Sequence, residues 1–253
     1  MLADLLPANV FALLLVFSRV SAASMILPGI GDLYVPQRWR LLLAMAVSLI
    51  VAAALGDALP KLLGTVPALL ALLVGETVVG LFLGTVARLL IAALETTGQI
   101  VSLQLSLSAA MVFNPAAAQQ GAVTSAFLMT LGTLVVFLTD AHHLMLRAII
   151  ESYGFFAPGA ALRLDGFADA IAQVVAQAFR IGTALAAPLL VLGVVFYSAL
   201  GLASRLMPQL QVFFIVAPVQ IIGGVLVFAL TLTAAMHWFH AGFVDGLARW
   251  MAP

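Results

Sequence analysis

The 253-residue sequence contains no cysteine, which excludes disulfides, thiolate catalysis and cysteine-based metal sites while leaving the redox compartment open. Charge is nearly as scarce. Asp, Glu, Lys and Arg make up 8% of the chain, against about a quarter of an ordinary soluble domain. The 10 basic and 10 acidic residues cancel and no polybasic tail appears, so nothing favours nucleic acid or an acidic substrate as a partner. Catalytic signatures are missing as well: there is no glycine-rich phosphate loop leading into Lys and Ser/Thr, no HExxH and no GxSxG elbow. Ser102, Ser106 and Ser108 have no candidate base close in sequence. His142 and His143 are adjacent, hence about 100° apart around a helix. His237 and His240 are spaced i, i+3 without a carboxylate on the same local face. No enzyme chemistry, metal or cofactor is expected.

What the chain has instead is apolar length. It is 64% hydrophobic with a mean hydropathy of +1.22, the composition of an integral membrane protein. Apolar runs lie near Leu5–Leu27, Trp39–Leu55, Val66–Leu94, Ala122–Thr139, Ala168–Leu200 and Leu210–Ala235, most of them near or above the roughly 20 residues that cross a bilayer. An all-α protein of about six long helices follows, read as one domain because no internal repeat or low-complexity linker divides it. The first run has small residues after it, as signal peptides do, but its first positive charge, Arg19, follows the apolar stretch, so it reads as a retained helix. Thr65, closely followed by Pro67, reads as an N-cap. Phe239, Phe243, Leu247 and Trp250 share one helical face, the pattern of a short interfacial or docking helix.

Three features do not suit a plain bundle in lipid. Arg38, Arg40 and Arg205 collect on one side and Lys61, Arg147, Arg163 and Arg249 on the other, so loop charges set no orientation. Val66–Leu94 would run about 43 Å against a hydrocarbon core of about 30 Å. Charges also lie inside apolar runs: Arg19, Glu76, Arg88 and Arg180. A central charge facing lipid costs roughly 2.5–3.5 kcal/mol, so these should face protein or water. Glu76, Gly80, Gly84 and Arg88 recur every four residues, a face suited to close helix contact with its charges paired to neighbours. Asp169, Gln173, Gln177 and Arg180 form a second polar stripe, read as a protein-facing seam that Pro188 interrupts. Pro218 and Gly223–Gly224 allow a kink in the sixth helix.

Between these runs lies "SLQLSLSAAMVFNPAAAQQG", residues 102–121, uncharged yet too weakly apolar to cross a bilayer. Four stretches occur in order and spacing: "ETVVGLFLG" from Glu76, "GQIVSLQLSLSAAMVFNP" from Gly98, "HHLMLRAIIESYGFFAPG" from His142 and "SRLMPQLQVFFIVAPVQIIGG" from Ser204. Together with Arg19 and "VPQRWR" they resemble the FliR family of flagellar export-gate proteins, whose sister group is the SctT proteins of virulence secretion. The likeness covers most of the chain. "GQIV" and the His142–His143 pair look more flagellar than virulence-type.

The resemblance implies a subunit of the type III protein export gate, multi-pass in the bacterial inner membrane at the flagellar basal body. It implies kinked helical hairpins packed into a helical assembly with FliP-like and FliQ-like subunits beside an FlhB-like one, passing unfolded proteins. Ser106, Met111, Val112, Phe113, Asn114 and Pro115 match the segment that helps to plug the pore in such gates. Met111 and Phe113 offer soft water-excluding contacts, and Asn114–Pro115 favours a turn. Packing and assembly fall to Arg19, Glu76, Gly80, Gly84, Arg88, Gln177 and Arg180, and to Arg205, Pro208, Gln209, Phe213, Phe214 and Pro218 at the "SRLMPQLQVFF" turn and after it. The sequence departs from the family where Ser106 replaces the usual Gly, Asn114 the usual Asp and Gln220 the usual Lys. A small secondary transporter would also carry intramembrane charges and broken helices, but it should show paired inverted halves, and none are evident.

Overall fold

A computed structural model of the protein describes residues 8–56, 59–60, 65–105, 123–159, 164–206 and 212–251. The described residues form seven α-helices and no strand: α1 Ala8–Ile26, α2 Gln37–Leu55, α3 Val66–Gln104, α4 Val123–Leu138, α5 Ala141–Phe155, α6 Leu164–Leu206 and α7 Val212–Met251. By length and apolar composition four of them can cross a membrane, or five if α4 and α5 form one broken span. The all-α membrane architecture expected from the sequence is therefore observed.

Local chemistry sets the helix ends. Pro36 stands at the N-cap of α2, where its missing N–H costs nothing, and Gly56 closes the helix at φ 45°, a conformation that disfavours a side chain. At the start of α3 the Thr65 carbonyl accepts from the Leu69 N–H at 3.2 Å. Thr139 and Asp140 separate α4 from α5, and Asp140, at φ 58°, is the N-cap of α5. Pro188 and Pro218 both lie inside long helices, α6 and α7.

Three boundaries differ from those read in the sequence. Helix α3 continues past Leu94 to Gln104, because Glu95, Thr96, Thr97 and Gln99 interrupt the apolar run without breaking a helix, and the Thr97 hydroxyl bonds back to the Ala93 carbonyl at 2.9 Å. The face of Phe239, Phe243 and Leu247 is buried as its periodicity suggests, but it belongs to α7, which runs unbroken to Met251, and not to a separate short helix. A helix also follows the Thr139–Asp140 break, making seven where about six long ones were expected.

The chain divides into two compact units. The first comprises residues 1–90, 139–175 and 244–253. In it α1 packs against α2, and Phe11, Leu15 and Leu72 form a core closed by Leu59 and Leu69. The second comprises residues 91–138 and 176–243. There Val101, Leu105 and Leu189 form a core with Leu192, Val227 and Phe228 packed on it.

Candidate functional site: a buried charge clamp and a small-residue seam

Arg19 sits in the middle of α1 and is 0% exposed. Its guanidinium Nε donates to Glu76 Oε2 at 2.6 Å and Nη2 donates to Oε1 at 3.1 Å, so the planar fork meets the carboxylate with two bonds. Nη1 donates to Ser152 Oγ at 3.0 Å, and Nη2 also donates to the Phe156 carbonyl at 2.7 Å. The Tyr153 ring lies under the guanidinium carbon at 3.8 Å from its centroid, a cation–π contact in a dry setting. The Tyr153 hydroxyl is buried with no hydrogen-bond partner among the described residues, so the ring face is what this residue contributes.

One side chain thus ties α1 to α3 and to the end of α5. Glu76 is 3% exposed, and each of its carboxylate oxygens accepts one hydrogen bond from Arg19. A cavity of about 510 Å³ opens beside the pair, lined by Leu72, Val79, Phe156 and Gly159. The arrangement is chemically a fastener: charges that would be costly in lipid are neutralised inside the protein.

The glycine stripe explains how the helices come close enough. A Cβ on Gly80 would run into the Arg19 carbonyl oxygen and lie 2.9 Å from the Ala22 Cβ. One on Gly84 would lie 2.9 Å from both the Ala23 carbonyl oxygen and the Ile26 Cβ. The seam read from spacing is real, and its partner is α1 of the same chain.

Arg88, at the end of the stripe, pairs with Asp32 in the loop between α1 and α2. Asp32 Oδ2 also accepts from the Gly29 N–H at 2.8 Å and the Tyr34 hydroxyl at 2.7 Å. Burial opposes ionisation of Asp32, but the hydrogen bonds from Arg88, Tyr34 and Gly29 outweigh it and hold the carboxyl below its usual range. Burial, and then the neighbouring Asp32 carboxylate, push the Tyr34 phenol up. Arg40 completes the loop by donating to the carbonyls of Val35 at 2.9 Å and Asp32 at 2.8 Å.

In the second unit, Gln220 Nε2 donates to the Gln104 carbonyl at 2.7 Å and to the Tyr197 hydroxyl at 2.9 Å. A neutral amide here satisfies the last carbonyl of α3, one of the orphan acceptors of a helix C-terminus.

The other predicted residues are placed as follows. Gln177 is buried, whereas Asp169, Gln173 and Arg180 are exposed, so the second polar stripe is not one buried seam within the chain. Arg205 lies exposed in the last turn of α6, where a cation suits the helix dipole. Pro218 is exposed within α7, and Phe213 and Phe214 lie in the same helix. Pro208, Gln209 and the plug residues Ser106, Met111, Val112, Phe113, Asn114 and Pro115 lie outside the described residues. The His142 and His143 rings come within 4.1 Å of each other, closer than adjacency on a helix suggests, and His143 Nδ1 is 3.6 Å from Asp140 Oδ1. Asp32, Ser152 and Tyr153 were not singled out in the sequence. Only their contacts across long chain separations give them a role.

The profile of "Bacterial export proteins, family 1" matches residues 10–245. The "Flagellar biosynthetic protein FliR" of Caulobacter vibrioides is 39% identical over 231 residues, covering 91% of this chain and 92% of that protein. Its Bacillus subtilis namesake is 31% identical over 86% of this chain and 83% of that protein. The "Yop proteins translocation protein T" of Yersinia pestis is 32% identical over 60% and 59% of the two chains, as a sister-group member should be. The Arg19–Glu76 clamp, the Gly80–Gly84 seam and the Gln220–Gln104 hydrogen bond of this chain all lie within residues 10–245, and the chain belongs to the FliR family of bacterial export proteins.

Proposed function

We propose that this chain is a subunit of the type III protein export gate in the bacterial inner membrane at the flagellar basal body. It acts with FliP-like, FliQ-like and FlhB-like subunits to form the pore for unfolded flagellar proteins. The observation that carries this reading is the likeness to a flagellar biosynthetic protein along nine-tenths of the chain, together with the export-family match at residues 10–245, which includes every residue of the clamp. Composition fits the role: apolar helices for a membrane setting, with Arg19 and Glu76 neutralised internally. The whole chain serves as one gate domain, with Gly80 and Gly84 holding its first helices together so that partners meet a fixed surface.

Within the gate, Ser106 and Met111–Pro115 plug the pore. The segment between α3 and α4 has no charge, so it can close without stranding ions, and Met111 and Phe113 supply soft apolar contact. A plug stabilises the closed state, so removing its bulk leaves assembly intact and shifts the balance toward open. Met111→Ala/Phe113→Ala tests this in cells, by small-solute uptake with complex abundance measured in parallel. The expected result is a normally abundant complex that leaks. A normally abundant complex that stays sealed refutes the plug role of these two side chains. Loss of the complex assigns them to core packing, where truncation costs roughly 2–5 kcal/mol each.

A further inference from the structure

Two charges inside the apolar helices are not neutralised as Arg19 and Arg88 are. Glu95 on α3 and Arg180 on α6 are both exposed, and among the described residues neither side chain takes part in an ion pair or hydrogen bond, although their backbone carbonyls accept from Ser125 and Thr183. They lie beside one tight helix crossing in the second unit. A Cβ on Gly182 would be 2.7 Å from the Ala93 carbonyl oxygen and 2.9 Å from the Thr96 Cβ, and the Thr97 hydroxyl donates to the Gly182 carbonyl at 3.1 Å. Ala93, Leu94 and Thr97 turn inward and are buried, which leaves Glu95 and Gln99 on the outer side of α3. On α6, Phe179, Arg180 and Thr183 face outward, and Thr183 already bonds to carbonyls of its own helix.

The surroundings select what covers this face. Lipid tails leave both charges unsolvated. An anionic headgroup would suit Arg180 and repel Glu95. Open water would suit both but wet Leu103, 62% exposed, and Phe179, 58% exposed, on the same faces. A protein helix carrying both signs serves all four groups. Resting on the gate reading above, we infer that Glu95 and Arg180 form a docking surface for a neighbouring gate subunit, whose helix brings a carboxylate to Arg180 and a cation to Glu95.

The test co-produces the tagged full-length chain with FliP-like and FliQ-like partners and measures the partner retained per chain. If the wild-type chain retains none, the gate reading fails, whatever the charges do. Given retention, Glu95→Arg and Arg180→Glu should each lower it at least ten-fold. Motile revertants of Arg180→Glu should carry a carboxylate-to-basic change in a partner helix. Restored retention in the Glu95→Arg/Arg180→Glu double variant would overturn the proposal by showing that the two residues pair with each other. Unchanged retention in both single variants would overturn it too. If a reversal removes the chain from the membrane, photo-crosslinkers at Gln99 and Phe179, with the native charges kept, decide the matter. Adducts to a partner subunit support the surface, and adducts to lipid alone refute it.

Discussion

Removing one partner of the Arg19–Glu76 pair should be among the most damaging single changes in the first unit. Glu76→Gln keeps the shape but removes the charge that two guanidinium bonds of 2.6 and 3.1 Å converge on. The remaining contacts to Ser152, the Phe156 carbonyl and the Tyr153 ring are all neutral, so Arg19 stays buried as an uncompensated cation. Hydrogen bonds between membrane helices average only about 0.6 kcal/mol, because the separated helices find other partners. A charge stranded in a closed site is a different case, and breaking a buried pair costs about 3–5 kcal/mol. The larger figure should apply, since Arg19 is 0% exposed and cannot reach water without opening α1 from α3. Folded-to-unfolded ratios should fall by at least a hundred-fold. The assay is unfolding in mixed micelles with rising detergent denaturant, for Glu76→Gln, Arg19→Met and the Arg19→Met/Glu76→Gln double variant. Both single variants should lose several kcal/mol, and the double should recover much of it, because no charge is then left alone. Single variants within about 1 kcal/mol of wild type, or a double as unstable as the sum of the two, would refute the reasoning.

The remaining predictions concern the seam and the loop. Gly80→Ala should destabilise more than Gly84→Ala, because the added methyl meets the Arg19 carbonyl oxygen more closely than its counterpart meets that of Ala23. Overpacking of this kind costs about 1–3 kcal/mol, read as lower recovery of folded chain from membranes, and equal recovery of the two variants would count against it. The Asp32 carboxyl is held below its unfolded value of about 3.9, so its stabilisation is fully present above that pH and is lost as pH falls through the lowered value. Amide protection factors across residues 29–40, taken relative to the intrinsic exchange rate at each pH, should therefore fall as pH drops below about 4, and Asp32→Asn should show the lower protection already at neutral pH. Arg88 is 44% exposed, which keeps the bridge at or below about 1 kcal/mol, and a pH-independent loop in the wild-type chain would refute the assignment.

Helices were legible in the sequence because long apolar runs admit little else in a membrane, where backbone groups must bond within their own segment. Their ends were less legible where packing decides them. Glu95 to Gln104 leaves the apolar run and holds the weak helix formers Thr96, Thr97 and Gly98, yet stays helical, with Gly98 set close against Ser125 and the Thr97 hydroxyl bonded to the Gly182 carbonyl at 3.1 Å. For the site, spacing identified the Glu76–Arg88 face and the close contact at Gly80 and Gly84, since four-residue periodicity survives any tertiary context. Spacing carries no address for the partner. Ser152 lies 133 residues from Arg19, and Asp32 lies 56 from Arg88, so neither pairing has a local signal. The seam's partner turned out to be α1 for the same reason, although a neighbouring subunit would have fitted the spacing as well.

Hydropathy also treats the intramembrane charges alike, and the structure separates them by how they are satisfied. Arg19 and Glu76 are internal to the chain, Arg88 reaches a loop carboxylate at its edge, and Glu95 and Arg180 are exposed. Each class should respond differently to production without partners. An internal pair is complete in the isolated chain, so its disruption lowers stability whether or not other subunits are present. An exposed charge awaiting a partner is a liability in the isolated chain and an asset in the complex. Neutralising Glu95 or Arg180 with Gln should therefore raise the recovery of the chain made alone while lowering that of the assembled gate, whereas Glu76→Gln should lower both. Opposite signs for the same substitution in the two settings are the signature of a contact between subunits. If Glu95→Gln and Arg180→Gln instead move both recoveries in the same direction, their effect is confined to the chain itself, and the sorting of charges by exposure is wrong.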